Sequence, residues 1–282
     1  MTEQSAVALE GCAVWRPRFA GLPVEIVAAD NRPRAFPTRV TDTLGLCVKG
    51  GPAHGLRADG RRLIYPADSV CIRPPGCVWT SDIAPVSFLA IDVASDWLPA
   101  AAQWGPMAFR SRRDLPDLAA VARRIRVAGS RLEAEEALAN LVAAAVALAP
   151  SSAPLLRDEG SVARGVHHAR EFLAAHACEN LTLTEVARQA AMNKFVLVRR
   201  FRRQFGTTPH AFLMAARLER ARWLLAGGLS ASDVGAATGF ADQAHFSRWF
   251  KRHYGTTPAA YARGGAAPAR SIPFKTPRRS CS

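Results

Sequence analysis

The chain has 282 residues, 49% of them hydrophobic. That is enough for two domains with real cores and too apolar for a disordered chain. The formal charge of +14 is unevenly placed: residues 1–160 carry 18 Lys/Arg against 17 Asp/Glu, residues 161–263 carry 15 against 6, and residues 264–282 carry 4 against none. A near-neutral front and a basic back predict two jobs, the second with the electrostatic footprint of a phosphate-backbone binder, and no apolar run approaches the roughly 18 residues that cross a bilayer.

In chain order, the N-terminus MTEQSAVALEGCAV lacks a basic stretch followed by an apolar core, so the expected location is the cytoplasm, on the nucleoid. Short strands are predicted at 24–29 (VEIVAA), 44–49 (LGLCVK), 62–65 (RLIY), 69–73 (SVCIR) and 86–92 (VSFLAID), separated by the Gly/Pro/Asp breaks GGPAHG, RADG, PAD and RPPG. Strands at this spacing suggest a barrel or sandwich within residues 1–113. Cys12, Cys47, Cys71, Cys77, Cys178 and Cys281 form no CxxC pair and are read as reduced thiols.

Residues 114–149 read as a helical pair. Asp114 is the expected N-cap of the first helix, with Pro116 in its first turn and Gly129 stopping it. Ser130 and Glu133 form a capping-box pattern for the second. Its Leu138, Leu141, Val142, Ala145, Val146 and Leu148 must find cover, either on the strand domain or in a homodimer. Residues 150–161 have linker composition, and the Gly/Pro-rich tail 264–282 reads as disordered.

Residues 162–263 contain a repeat. FRRQFGTTPHAF (201–212) matches FKRHYGTTPAAY (250–261) at an offset of 49 residues. Upstream, Thr182–Glu185 and Ser230–Asp233 both open short apolar helices, and Asn193 and Asp242 are N-cap candidates for a second helix in each copy. That is helix–turn–helix, twice. Leu197 and Phe201, or Phe246 and Phe250, supply the core face of each second helix. The opposite face carries Arg199, Arg202 and Arg203, or Arg248, Lys251 and Arg252, suited to guanine and phosphate. Between the copies, Pro209 starts a helix of some 18 residues ended by Gly227-Gly228. At about 1.5 Å per residue it spans roughly 27 Å, a strut able to hold two reading heads near one DNA turn apart.

These residues, above all RLERARWLLAGG (217–228) and the GF-x-D-Q-x-x-F-S-R-x-F-K pattern at 239–251, strongly resemble the DNA-binding domain of the AraC/XylS family of bacterial transcription regulators. The resemblance implies an α+β two-domain protein. A cupin-like β-barrel with following helices would precede an all-α domain of two helix-turn-helix units joined by a long helix. It implies base or sugar contacts from Phe195, Val198 and Arg199 in the first unit, and from Gln243, Ala244, His245 and Arg248 in the second. Phe195 has core packing, and the arginines phosphate contact, as the plainer alternatives. Double-stranded promoter DNA, RNA polymerase, a small-molecule effector and a second copy of the chain are the implied partners. The chain departs from the family pattern in two places. Ala191 stands at the first turn where Gly is usual, a cost of roughly 1 kcal/mol if φ is positive. Val198 offers no hydrogen bond where a polar reader is frequent.

Residues 20–98 more weakly resemble the cupin-type effector domain that often precedes such a unit. Thr38, Arg39 and Val40 stand where cupins that bind metal carry His-x-His, and Trp79 near a later His, so no metal, cofactor or enzymatic activity is expected. Arg39, Cys47, Cys71, Cys77 and Trp79 are the candidate lining of an effector pocket, with Arg39 able to pair with a carboxylate. Cys47 and Cys71 also fit a core-filling role, or a thiol-based sensor of oxidant, electrophile or soft metal. The expected function is therefore an effector-controlled transcription regulator, an activator. A thiol-responsive regulator, a cupin enzyme with a DNA-binding appendage and an architectural DNA binder are the rivals.

Overall fold

The structure, a computed structural model, describes residues 12–15, 22–100, 102, 104–148 and 161–263. The expected linker 150–161, apart from its last residue, and the expected disordered tail 264–282 lie outside them. Among these residues the front half holds strands β1 (Cys12–Trp15), β2 (Val24–Val40), β3 (Thr43–Gly50), β4 (His54–Ala58), β5 (Arg61–Tyr65), β6 (Ser69–Arg73), β7 (Val78–Ala94) and β8 (Ala108–Ser111). All pair antiparallel, in the order β1-β2-β7-β3-β6-β8, with β4 joining β7 and β5 joining β4.

The two 17-residue strands β2 and β7 run side by side. Register shifts between Ala29 and Arg32 and again on either side of Phe36 bend the pair. One half of β7 can then take β3 while the other takes β4, curling the sheet into a nearly closed barrel. The expected strands 24–29 and 86–92 are thus the ends of longer elements, and β1, β4 and β8 are additions.

Strand alternation sorts the side chains. Val24, Ile26, Leu44, Leu46, Val70, Ile72, Leu89, Ile91 and Val93 face outward into a core roofed by α1 (Leu118–Val127) and α2 (Arg131–Leu148). Val27, Cys47, Cys71, Phe88 and Ala90 face the barrel interior. Both faces are buried, which is why these strands read as continuous apolar runs.

The N-cap of α1 is Asp117, which accepts from the Ala119 N–H, and not Asp114, which accepts from Ser111 N in the preceding turn. Pro116 keeps Leu115 out of the helical region, so the helix begins beyond it. At α2, Ser130 Oγ accepts from Glu133 N at 3.2 Å, and the Glu133 carboxylate reaches back to Gly129 N at 2.9 Å. Leu138, Leu141, Val142 and Ala145 of α2 are buried against the barrel within a single chain, with Val146 and Leu148 at the edge of the same core.

The back half is helical: α3 (Ser161–Ala175), α4 (Leu183–Gln189), α5 (Lys194–Phe205), α6 (Pro209–Ala226), α7 (Ala231–Ala237), α8 (Gln243–Tyr254) and α9 (Pro258–Ala262). Its two halves have separate cores. Leu197, Phe201 and Phe205 of α5 lie with Val186 and Phe212 in one, and Phe246, Phe250 and Tyr254 of α8 lie with Leu218, Leu225 and Val234 in the other. Helix α6 contributes to both. It also rests on β2, and barrel residues Val40 and Val78 enter the first helical core. Among the described residues no helix is long and apolar enough to cross a membrane.

Candidate DNA-contacting helices and barrel cavity

Each recognition helix is set by its caps. Thr182 and Glu185 form a complete capping box on α4. Asn193 accepts from Val196 N at 2.9 Å and starts α5, whose end is Gly206 in the left-handed region. In the second unit Ser230 accepts from Asp233 N, Asp242 accepts from His245 N at 2.6 Å, and Gly255 ends α8. Four helix starts are thereby positioned by side chains that also satisfy orphan N–H groups.

The buried faces fix which side remains for a ligand. Phe201 and Phe250 are fully buried, and truncating such an anchor costs about 3–5 kcal/mol. On the opposite faces Arg199, Arg202, Arg203, Arg248, Lys251 and Arg252 are exposed, as are Gln243 and Ala244. Phe195 is 76% exposed, so core packing is not its role. Val198 is half-buried and lines a shallow surface groove with Leu183, Lys194, Phe195, Arg199, Arg202 and Arg203. His245 is also half-buried: its Nε2 accepts from Trp249 Nε1 at 2.9 Å and its ring lies edge-on to Phe240. Its side chain is thus more enclosed than those of Gln243 and Arg248.

A residue that sequence reasoning passed over ties the two units. Arg217 on α6 is buried and donates from Nε to the Ala177 carbonyl, from Nη2 to the Glu179 carbonyl and from Nη1 to the Gly239 carbonyl, at 2.6–2.8 Å. It fastens the end of α3 to the turn of the second unit. Gly239 has φ +76°, and a Cβ there would sit 2.6 Å from the Cys178 carbonyl oxygen. Ala191 occupies the corresponding turn with φ +50°, the strained conformation expected where Gly is usual in the family pattern.

The barrel interior is built in layers that its register makes explicit. Glu25 faces Asp92, and Gly45 pairs with both Asp92 and Arg73, forming a charged layer at the end nearest the helical domain. Gly45 has no side chain where the Arg73 guanidinium lies. The next layer is Val27, Ala90, Cys47 and Cys71, and beyond it stand Phe88 and Lys49. Between them is a cavity of about 90 Å³. Arg39, Cys47, Cys71 and Trp79 line it as expected. Cys77 does not: it sits in the turn ahead of β7, where its thiol hydrogen-bonds Asp59. Glu25, Lys49, Tyr65, Arg73 and Asp92 also line it, unforeseen in the sequence because charged residues on a strand ordinarily face water.

Three further wall residues, Arg222, Tyr254 and Tyr261, come from the helical domain. Arg222 of α6 pairs with Glu25 of β2, with Glu219 at 2.6 Å and with Asp92 of β7 at 3.5 Å. Tyr261 donates to Glu25 at 2.6 Å, and Tyr254 donates to Glu219 at 3.1 Å. The Arg39 guanidinium lies 4.7 Å from the centre of the Tyr254 ring. The floor of the cavity and the junction between domains are therefore one polar cluster. Burial works against the charge on Arg222, but Glu219 and Glu25 more than restore it. Burial pushes the Cys47 and Cys71 thiols up, so both keep their protons near neutral pH. Among the described residues no group of three or more His, Cys, Asp or Glu side chains could hold a metal ion.

A family profile described as a helix-turn-helix domain matches residues 186–264. YbfI, described as an uncharacterized HTH-type transcriptional regulator of Bacillus subtilis, is 38% identical over 75 residues, covering 27% of either chain. The transcriptional activator NphR of a Rhodococcus species is 41% identical over 83 residues, 29% of this chain and 24% of that one. The chain thus spans only about a quarter of the length of these relatives. An apo ToxT variant from Vibrio cholerae superposes with a TM-score of 0.53 at 11% identity, covering 87% of this chain and 99% of that one, which shows a shared two-domain fold. Over residues 186–264, then, the chain is similar to the AraC-type helix-turn-helix domain of bacterial transcription regulators such as NphR.

Proposed function

We propose that this chain is a sequence-specific DNA-binding transcription regulator whose barrel cavity takes a small-molecule effector. The observation that carries the DNA-binding half is the sidedness of α5 and α8. Each buries one aromatic face and turns Arg199, Arg202 and Arg203, or Arg248, Lys251 and Arg252, to solvent. One stiff helix, α6, enters both cores and sets their spacing. Arg and Gln at base edges discriminate, and Lys and Arg along the backbone hold register. Activation, with RNA polymerase as the partner, is the direction of control this reading adopts, in line with NphR, which is described as an activator.

Effector control rests on the shared wall. A molecule that touches residues of both domains has different contacts in the docked and undocked arrangements, and only such a difference shifts a population. Cys47 and Cys71 do not favour the thiol-sensing alternative, since the thiolate is the reactive form and burial disfavours it at both.

The test is selection of DNA from a random library, followed by gel shifts across a salt series. A preferred sequence should bind about 10³-fold or more tighter than random DNA at physiological salt. Equal affinity for both at every salt concentration would leave an architectural binder instead.

A further inference from the structure

The cavity floor has a surplus of donors. Arg39 and Trp79, adjacent across β2 and β7, are both nine-tenths buried and line the cavity. Arg39 Nε and Nη1, Trp79 Nε1 and Arg73 Nε are buried without a hydrogen-bond acceptor among the described residues. The acceptors nearby are engaged: Glu25 takes Arg222 and Tyr261, and Asp92 takes Arg73 at 2.8 Å. Arg73 is matched by Asp92, and Arg222 by Glu25 and Glu219. Arg39, unlike these two, has no carboxylate partner among the described residues. Each orphaned N–H is costly, and one acceptor group could satisfy several together.

The occupant must therefore bring acceptor oxygens and few donors. A hydroxyl-rich molecule would present donors to carboxylates that are already engaged. A planar guanidinium and an adjacent indole N–H match the planar pair of oxygens of a carboxylate. The next layer is apolar, formed by Val27, Cys47, Cys71 and Ala90, and about 90 Å³ of space is small. We infer that the effector is a small monocarboxylate, its head on Arg39 and Trp79 and its compact apolar body in the middle of the barrel. This rests on the regulator reading above and names the ligand class of the same cavity. The head would also reach the second recognition helix in one step. Arg39 stacks on Tyr254 of α8, and Tyr254 holds Glu219, the partner of Arg222.

The experiment is calorimetric titration of the full-length chain with propanoate, butanoate and benzoate, with the matching amides, and with inorganic phosphate. At least one carboxylate should bind saturably and about tenfold or more tighter than its amide and than phosphate, as expected for a charge-assisted hydrogen bond. Arg39→Gln should weaken that carboxylate about tenfold or more. Trp79→Phe keeps the ring, deletes the donor and should weaken it severalfold, so a poorly folding Arg39 variant does not end the test. Arg57→Gln, on the exposed face of β4, should leave it unchanged. Binding of amide and carboxylate alike, binding untouched by both cavity variants, or no carboxylate bound at all would overturn the inference. Specific DNA binding by the same preparation separates that outcome from failure of the regulator reading itself.

Discussion

Removing Arg222 is the sharpest perturbation of the junction between domains. Its side chain is 4% exposed, and those of Glu25 and Glu219 are 2% and 3% exposed. Taking away the guanidinium leaves these two carboxylates, and partly Asp92, without their cation in a site that water does not reach. Breaking a buried ion pair from one side costs about 3–5 kcal/mol, because the remaining charge is uncompensated. The packing of α6 within its own domain survives, since Leu218, Ala221 and Leu225 are the core residues of that stretch. The cost therefore falls on docking, and at about 1.4 kcal/mol per factor of ten it corresponds to a shift of roughly 10²-fold to several thousandfold toward separated domains. Hydrogen exchange on the full-length chain reads this directly. Arg222→Met should accelerate exchange in β2 and at the β2-facing turns of α6, while α7 and the core of α8 stay protected. Adding Glu25→Gln and Glu219→Gln should restore much of the protection, because the stranded charges are gone. Unaltered exchange in β2, or uniform loss of protection across the helical domain, would refute the reasoning.

Three other outcomes follow from the same structure. Ala191→Gly should stabilise the chain by about 0.5–1 kcal/mol, the relief of a left-handed alanine less the added freedom of the unfolded glycine; a lowered melting temperature would contradict this. Arg248→Ala should abolish specific binding in gel shifts, each bidentate Arg contact being worth about 1–3 kcal/mol, while Val198→Ala changes it little. His253 is buried, and burial, aided by Arg39 and Arg222, holds its imidazole well below the usual range of about 6.5. The unfolded chain then binds the proton that the folded chain refuses, so stability should fall by up to about 1.4 kcal/mol per pH unit as pH drops below about 6.5. Burial lowers the His54 imidazole as well, whereas it raises the carboxyls of Asp42 and Asp59, an effect that acts closer to the ordinary carboxylate range, so the slope of melting temperature between pH 6.5 and 5.5 belongs to the two histidines together. His253→Phe should remove its own share and flatten that slope in part.

The helical domain was legible because its signals are local. Caps at Thr182, Asn193, Ser230 and Asp242 lie within three residues of the N–H groups they satisfy, and the repeat checks one copy against the other. Even the irregular φ at Ala191 showed through its departure from the glycine usual at that turn. The barrel was legible only in part. Polar stretches inside β2 and β7 look like breaks, yet they are the bent middle of continuous strands. The cavity floor was least legible. Glu25, Arg73 and Asp92 become a layer only when three strand pairings set them level, and Arg222, 197 residues from Glu25, meets it only when the domains dock. A charge on a strand and another on a helix carry no local sign that they will neutralise each other.

As a DNA-binding regulator, the chain should grip successive major grooves with α5 and α8 on one side of the duplex. Methylation interference on a selected DNA site tests it most directly, run with the native chain, Arg199→Ala and Arg248→Ala. Two clusters of guanine contacts about one helical turn apart are expected, with the first variant erasing one cluster and the second erasing the other. A single cluster, or two variants that thin the same contacts, would contradict it.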